Sequence, residues 1–263
     1  MAALSLGKAW EESVAFGKRE GQLLLPVSMA LIALPWLILF SMIPDDNFLM
    51  KMENGKAPDV PASVSFGMLL CGLIVAIGSL TLYTLSLRRG VSVGEALRHG
   101  VRRMPVVILS SLVIAAGGIV ALIFISLIAG IIAVAGAGQD TGTGIALIAL
   151  LAVFLYAYAR LSLLVALVAD RATGPLDSLR AAWRMTAGHA GKLFLFIVAI
   201  TALTIIVQSA AQLALGVTGQ LLGGKEIGRL AGLIGASIIS GVAQVYMCVM
   251  QARLYLQLAG GER

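Results

Sequence analysis

The residues that could do chemistry in this chain are few, and most lie inside long apolar stretches. Arg160 is the clearest case, set within YAYARLSLLVALVAD. A charged group in a membrane span is expensive and marks a site by default, with its partner to be named. If that span ends near Asp170, Arg160 lies about 15 Å inside it, at ~1.5 Å per residue. It can snorkel, or pair with Asp170 or with the terminus of a neighbouring helix. A structural ion pair and a lipid-phosphate or substrate site are both open readings at this point. Ser162 follows two residues later.

A second polar set lies towards the C-terminus: Gln208, Ser209 and Gln212, then Gln244, Tyr246, Gln251, Arg253 and Tyr255. Gln208 and Gln212 are four apart and share a helix face; Gln244 and Gln251, seven apart, do likewise. Such glutamines cross-link helices at about 1 kcal/mol or less per contact, or they line a polar cavity between the last two spans. The candidate lipid- or substrate-binding residues are therefore Arg160, Ser162, Gln208, Gln212, Gln244, Gln251 and Arg253.

Other chemistries find no footing. No P-loop, HExxH, CxxC or GxSxG pattern occurs, so no catalytic residue, metal site or cofactor is expected, and the chain reads as a non-enzyme. Cys71 and Cys248 each sit in an apolar block without the neighbours a metal or redox site needs. No span holds two carboxylates, which argues against classical proton or sodium coupling. The net charge of +6 comes from Lys and Arg flanking apolar blocks, as membrane insertion requires. It forms no single patch, so nucleic acid is not an expected partner.

The elements that must carry these residues are membrane helices. Apolar residues make up 59% of the 263 and charged ones only 12%, too few to cover a soluble surface. The apolar blocks mostly exceed the roughly 20 residues that cross a bilayer. They run from about 22 to 43, 62 to 87, 104 to 138, 143 to 169, 193 to 222 and 227 to 258. Residues 44–61 read as a loop, Asp140-Thr141-Gly142-Thr143 as a tight turn, and Gly223-Gly224-Lys225-Glu226 as another. The third block is overlong and must tilt, extend or break near Gly117-Gly118 or Gly130. Small residues there and in Gly232-x-x-Gly235-Ala236 should let backbones approach closely. Lys and Arg split 15 against 4 between alternate sides, which places both termini in the cytoplasm of a multi-pass inner-membrane protein. The first twenty residues carry Glu11, Glu12 and Glu20 and lack a cleavage site, so the mature chain is expected to keep its first residue.

The charged segments also repeat. Ser5-Leu6-x-x-Ala9-Trp10 recurs as Ser178-Leu179-x-x-Ala182-Trp183, with a weaker form at Ala96-Leu97-x-x-Gly100-Val101. Ser13 aligns with Thr186, Glu95 with Asp177, Arg98 with Arg180, and Arg102 with Arg184. Each segment precedes two spans. The expected fold is all-α: one membrane domain of six transmembrane helices in three parallel units, about 1–88, 89–170 and 171–263, each led by a short interfacial amphipathic helix. In the third, Leu176, Leu179, Ala182 and Trp183 form one face and Asp177, Arg180 and Arg184 the other. Trp10, Arg98, Arg102, Arg180, Trp183 and Arg184 are the expected interfacial residues.

Tyr158 to Phe196 resembles the membrane-domain family attached to some bacterial glycerophosphoryl diester phosphodiesterases, and the related YciC-like inner-membrane proteins. The matching elements are Arg160-x-Ser162, Asp170, Gly174-Pro175, Ser178-Leu179, Ala182-Trp183 and Thr186-x-Gly188. The resemblance implies a multi-helix membrane module. It does not carry phosphodiesterase activity over, because that chemistry belongs to a separate soluble barrel, and only His99 and His189 occur here. Pro175-x-Asp177-x-x-Arg180 is similar to the mitochondrial carrier motif but precedes its unit's first span, so it reads only as a helix start. The expected function is lipid binding or scaffolding in envelope or lipid homeostasis, with membrane lipids, a protein partner or a second copy as partners. The alternative is a transporter or flippase for an amphiphile.

Overall fold

The computed structural model describes residues 5–41, 62–88, 90–132, 139–171 and 173–260; the expected loop at 44–61 lies outside them. Every regular element among these residues is helical, as the apolar blocks demand. Helix α1 (Leu6–Ser28) starts at Ser5, whose side chain accepts from the Lys8 N–H at 3.3 Å. Ala9, Ser13, Phe16, Leu24 and Val27 form its buried face, at alternating three- and four-residue steps or multiples of them. A π-turn (Met29–Ala33) then widens the helix ahead of Pro35, and α2 (Leu34–Ser41) completes the rod. Ser28 Oγ ties it to the Gly241 carbonyl at 2.7 Å.

Helix α3 spans Ala62–Leu87 and α4 spans Val93–Ile132. The α4 start is a capping box, with the Ser92 N–H on Glu95 Oε2 at 3.0 Å and the Glu95 N–H on Ser92 Oγ at 3.3 Å. Helix α4 passes unbroken through Gly117, Gly118 and Gly130, where an added Cβ would meet nothing within 4 Å. The helix runs 40 residues, roughly 60 Å, from the charged segment through the apolar block to Ile132, so the overlong block does not break over the described residues. The expected close approach at Gly117-Gly118 does not occur.

Helix α5 (Gln139–Leu161) includes Asp140 to Thr143, which are helical here and form no tight turn. The fourth apolar block is instead interrupted at Ser162–Leu163, where Leu163 has φ −94 and ψ 2, before α6 (Leu164–Asp170) resumes. Helix α7 (Pro175–Met185) stands alone, with proline in its first turn, and Gly188 with φ +80 supplies the left-handed residue of the turn that follows. Its buried face is Ser178, Ala182 and Met185; Leu176 and Trp183 are exposed at 53% and 39%, which corrects the expected grouping. Among the described residues, the other two charged segments form no separate short helix. The amphipathic segments run on into α1 and α4, since neither carries a glycine turn like Gly188.

Helix α8 (Ala190–Gly260) covers 71 residues, but Gly223 and Gly224 leave helical geometry and Gly224 has φ +84. The two arms, 190–222 and 225–260, fold back on each other along small residues. A Cβ on Gly228 would fall 2.8 Å from the Gly216 carbonyl, and one on Gly232 3.1 Å from the Gln212 carbonyl. Among the described residues five helices, counting α8 once, are long and apolar enough to cross a membrane, and the protein is accordingly an all-α protein of membrane type.

The core sits at one end. Leu163, Leu164 and every residue from Ala166 to Ala169 are buried against Leu80, Leu82 and Leu85 of α3 and Val245 to Tyr255 of α8. Ala9, Gly100 and Ala182, which align between the three charged segments, are all buried. Ser13 and Thr186 also match: each is buried and donates to the carbonyl four residues back, Ala9 at 2.6 Å and Ala182 at 2.9 Å.

Candidate functional site

Two stripes of polar residues face each other across a half-open space between the helices, with Gln208 and Gln244 half-buried and Ser111, Thr201, Phe154 and Ile205 exposed. On the first arm of α8, Thr201, Thr204 and Gln208 lie three and four residues apart; on the second, Ser240, Gln244 and Gln251 lie four and seven apart. Each spacing keeps its residues on one helix face. With Ser79 and Tyr83 of α3, Ser111 of α4, and Tyr158 and Ser162 at the end of α5, they line a cavity of about 660 Å³. The remaining walls are apolar, including Ile114, Phe154, Ile205 and Met247. Among the described residues no side chain with a formal charge lines it.

Several of the polar groups are already engaged. The Tyr83 hydroxyl donates to Gln251 Oε1. That bond orients the carboxamide and leaves its Nε2 donor for the cavity. Thr204 Oγ1 donates to the Ile200 carbonyl at 2.8 Å, and Ser162 Oγ to the Ala159 carbonyl at 2.9 Å. Gln244 Nε2 lies 3.5 Å from Cys248 Sγ, a weak contact that leaves its carbonyl oxygen as an acceptor.

A smaller cavity of about 330 Å³ adjoins the first, between α2 and the two arms of α8. Trp36, Phe40, Gln212 and Ser237 contribute to it. Gln208, Ser240 and Gln244 line both cavities and form the partition between them.

Of the expected binding residues, Ser162, Gln208, Gln244 and Gln251 line the larger cavity and Gln212 the smaller one. The two arginines line neither. Arg160 is 9% exposed, and its guanidinium lies 4.6 Å from the Trp183 ring centroid and 5.7 Å from that of Tyr156. It pairs with aromatic faces instead of a carboxylate, an arrangement that stabilises a desolvated cation. The Thr186 hydroxyl donates to the Arg160 carbonyl at 2.9 Å, satisfying a backbone group that the break at Ser162–Leu163 leaves open. Helix α7 is therefore latched to the interrupted helix by two side chains, the Trp183 ring under the Arg160 guanidinium and the Thr186 hydroxyl on the Arg160 carbonyl. Arg253 lies 4.8 Å from the Phe16 ring centroid of α1.

Asp170 accepts from the Tyr255 hydroxyl at 2.7 Å, not from Arg160. His99 Nε2 meets the Ala169 carbonyl at 3.0 Å, so one of the two histidines is spent on closing the end of α6. Trp10, Arg98, Arg102, Arg180 and Arg184 are exposed on the outside of the bundle, away from both cavities. Among the described residues no cluster of His, Cys, Asp or Glu could hold a metal, and both cysteines are free thiols.

The polar lining residues not anticipated are hydroxyls: Ser79, Tyr83, Ser111, Tyr158, Thr201, Thr204 and Ser240. Ser and Thr are common in membrane helices because they bond their own carbonyls, so single ones carry no signal. The signal was their spacing to the glutamines, at 201, 204 and 208 and at 240, 244 and 251. No family model, curated protein or solved structure matches the chain.

Proposed function

We propose that this chain is an integral, non-enzymatic protein of a bacterial inner membrane that binds a membrane lipid in the cavity around Gln208, Gln244 and Gln251. The observation that carries this reading is the 660 Å³ space with a mixed polar and apolar wall, set among helices long enough to span a bilayer. That volume falls in the range of small-molecule sites, roughly 300–1,000 Å³. A wall of this kind suits an amphiphile better than a wholly apolar or wholly polar ligand.

In this reading the chain crosses the membrane six times, because the 71 residues of α8 would reach roughly 100 Å if straight and instead turn at Gly223–Gly224. Both termini are cytoplasmic, supported by the 15-to-4 distribution of Lys and Arg. The matched burial of Ala9, Gly100 and Ala182, and of Ser13 with Thr186, supports three units of common origin. The amphipathic α7, with Leu176 and Trp183 outward, lies at the cytoplasmic interface. A YciC-like membrane module acting in envelope or lipid homeostasis fits this arrangement.

Native mass spectrometry of the purified chain tests the reading. A lipid adduct is expected to persist in the wild type and in Arg160→Ala, and to be lost in the double variant Gln244→Leu/Gln251→Leu. Absence of any adduct from the wild type, or its full retention in the double variant, would sink the proposal.

One observation favours a second reading, lipid translocation. Gln208, Ser240 and Gln244 partition two cavities, and a movable partition would let a headgroup pass from one to the other. Reconstituted vesicles in which a fluorescent lipid changes leaflet faster than in protein-free controls would support transport; equal rates would oppose it.

A further inference from the structure

Building on the lipid-binding reading, we infer that the cavity selects an amphiphile with an uncharged, hydrogen-bonding headgroup, such as the hydroxyl and ester groups of a diacylglycerol. The selection arises from what the wall lacks as much as from what it offers. Twenty-one residues line the larger cavity, and the polar ones among them are hydroxyls and carboxamides only. An ionised phosphate or ammonium brought there would lose its hydration and meet no counter-charge among the described lining residues, a costly arrangement in a low-dielectric setting at membrane depth.

The nearby cations do not supply that charge. Arg160 flanks the lining residues Tyr158, Leu161 and Ser162, yet its guanidinium is turned onto Trp183 and Tyr156. Arg253 is two residues from the lining Gln251 and lies over Phe16 on α1. Both basic groups closest in sequence to the cavity are thus held outside it by aromatic rings.

What remains suits a neutral headgroup. Gln251 is held by Tyr83 so that its Nε2 can donate, and Gln244 keeps an acceptor oxygen. A hydroxyl needs one acceptor and one donor, and an ester carbonyl needs one donor. The apolar walls at Ile114, Phe154, Ile205 and Met247 take the first part of the acyl chains. Their distal ends leave between α4 and the first arm of α8, whose outer faces are exposed from Leu112 to Leu127 and from Leu195 to Leu215.

The test is a competition on the full chain, delipidated in detergent and given equal dioleoylglycerol and dioleoylphosphatidylglycerol, with adducts counted by native mass spectrometry. The acyl chains match, so only the headgroup differs. The neutral lipid is expected to be retained at least about tenfold over the anionic one, equivalent to ~1.4 kcal/mol. Gln251→Leu should remove that preference, and Gln208→Lys, which places a cation in the wall, should shift retention towards the phosphatidylglycerol. Equal retention of both lipids by the wild type, or a preference for the anionic one, would overturn the selectivity while leaving lipid binding standing. Retention of neither would remove both. Because the decisive ratio is read on the wild-type protein, a variant that fails to fold does not shield the inference.

Discussion

The end of the bundle that holds α6 and the opposite end, built from the middle of α4, the start of α5 and the tip of α8, are made on different principles. At the first, Leu163, Ala166, Leu167, Leu254 and Tyr255 are 0% exposed, and side-chain bonds such as Tyr255 to Asp170 close the gaps. At the second, only 6% of the most apolar stretch of α4 is buried, and Leu221 and Leu222 at the turn of α8 are more than 80% exposed. The packed end behaves like the interior of a soluble protein. The open end leaves its apolar surface for lipid to cover. The cavity lies where one regime passes into the other, with its floor on Tyr83, Leu164 and Gln251 and its mouth at Ser111, Phe154 and Thr201.

Substitutions can break that comparison. Leu167→Ala removes a side chain with no exposed surface and is expected to cost ~2–5 kcal/mol, read as a large fall in melting temperature in detergent. The same truncation at Leu122, which is 48% exposed, should move the melting temperature hardly at all. Equal effects at the two sites would erase the distinction between the ends.

Gly228→Ala should cost about 1–3 kcal/mol, because the new methyl would sit 2.8 Å from the Gly216 carbonyl and must push the arms of α8 apart. Disulfide trapping across the two arms would read that separation directly. Next comes Tyr255→Phe, which takes the hydrogen bond from Asp170 and is expected to cost about 1–2 kcal/mol by the same melt. Smallest is Gly118→Ala, in open space on α4, where helix propensity alone should raise stability by ~0.5–1 kcal/mol. A loss there would mean that α4 meets a neighbour at its middle.

Much of this architecture could be read from the residues. Hydropathy marked the apolar blocks that form the five long helices, and the glutamines at 208, 212, 244 and 251, whose spacing left helix cross-linking and a polar cavity both open, line one or both of the two cavities. The recurrence of Ser5-Leu6-x-x-Ala9 at Ser178-Leu179-x-x-Ala182 was legible, but that its small residues Ala9 and Ala182 are the buried ones, while Leu176 and Trp183 face outward, was not. The roles of Arg160 and Arg253 were not legible, because their aromatic partners Trp183 and Phe16 are distant in sequence and a cation over a ring has no local signature. The break at Ser162–Leu163 was invisible for a related reason. No Gly or Pro marks it, and the Thr186 hydroxyl that compensates the freed carbonyl comes from another helix. Gly117 and Gly118 misled in the opposite sense: a glycine pair permits close packing but does not supply the neighbour.

The central claim is that lipid occupies the space between the packed floor and the splayed helices. The most direct measurement is photocrosslinking with a diacylglycerol carrying a diazirine near the carbonyl end of one chain, followed by peptide mapping. Adducts concentrated on Phe154, Ile205 and Met247, and suppressed by unlabelled diacylglycerol, are the predicted result. Adducts spread evenly along exposed positions such as Leu122, Ile148 and Leu213, with no competition, would contradict it.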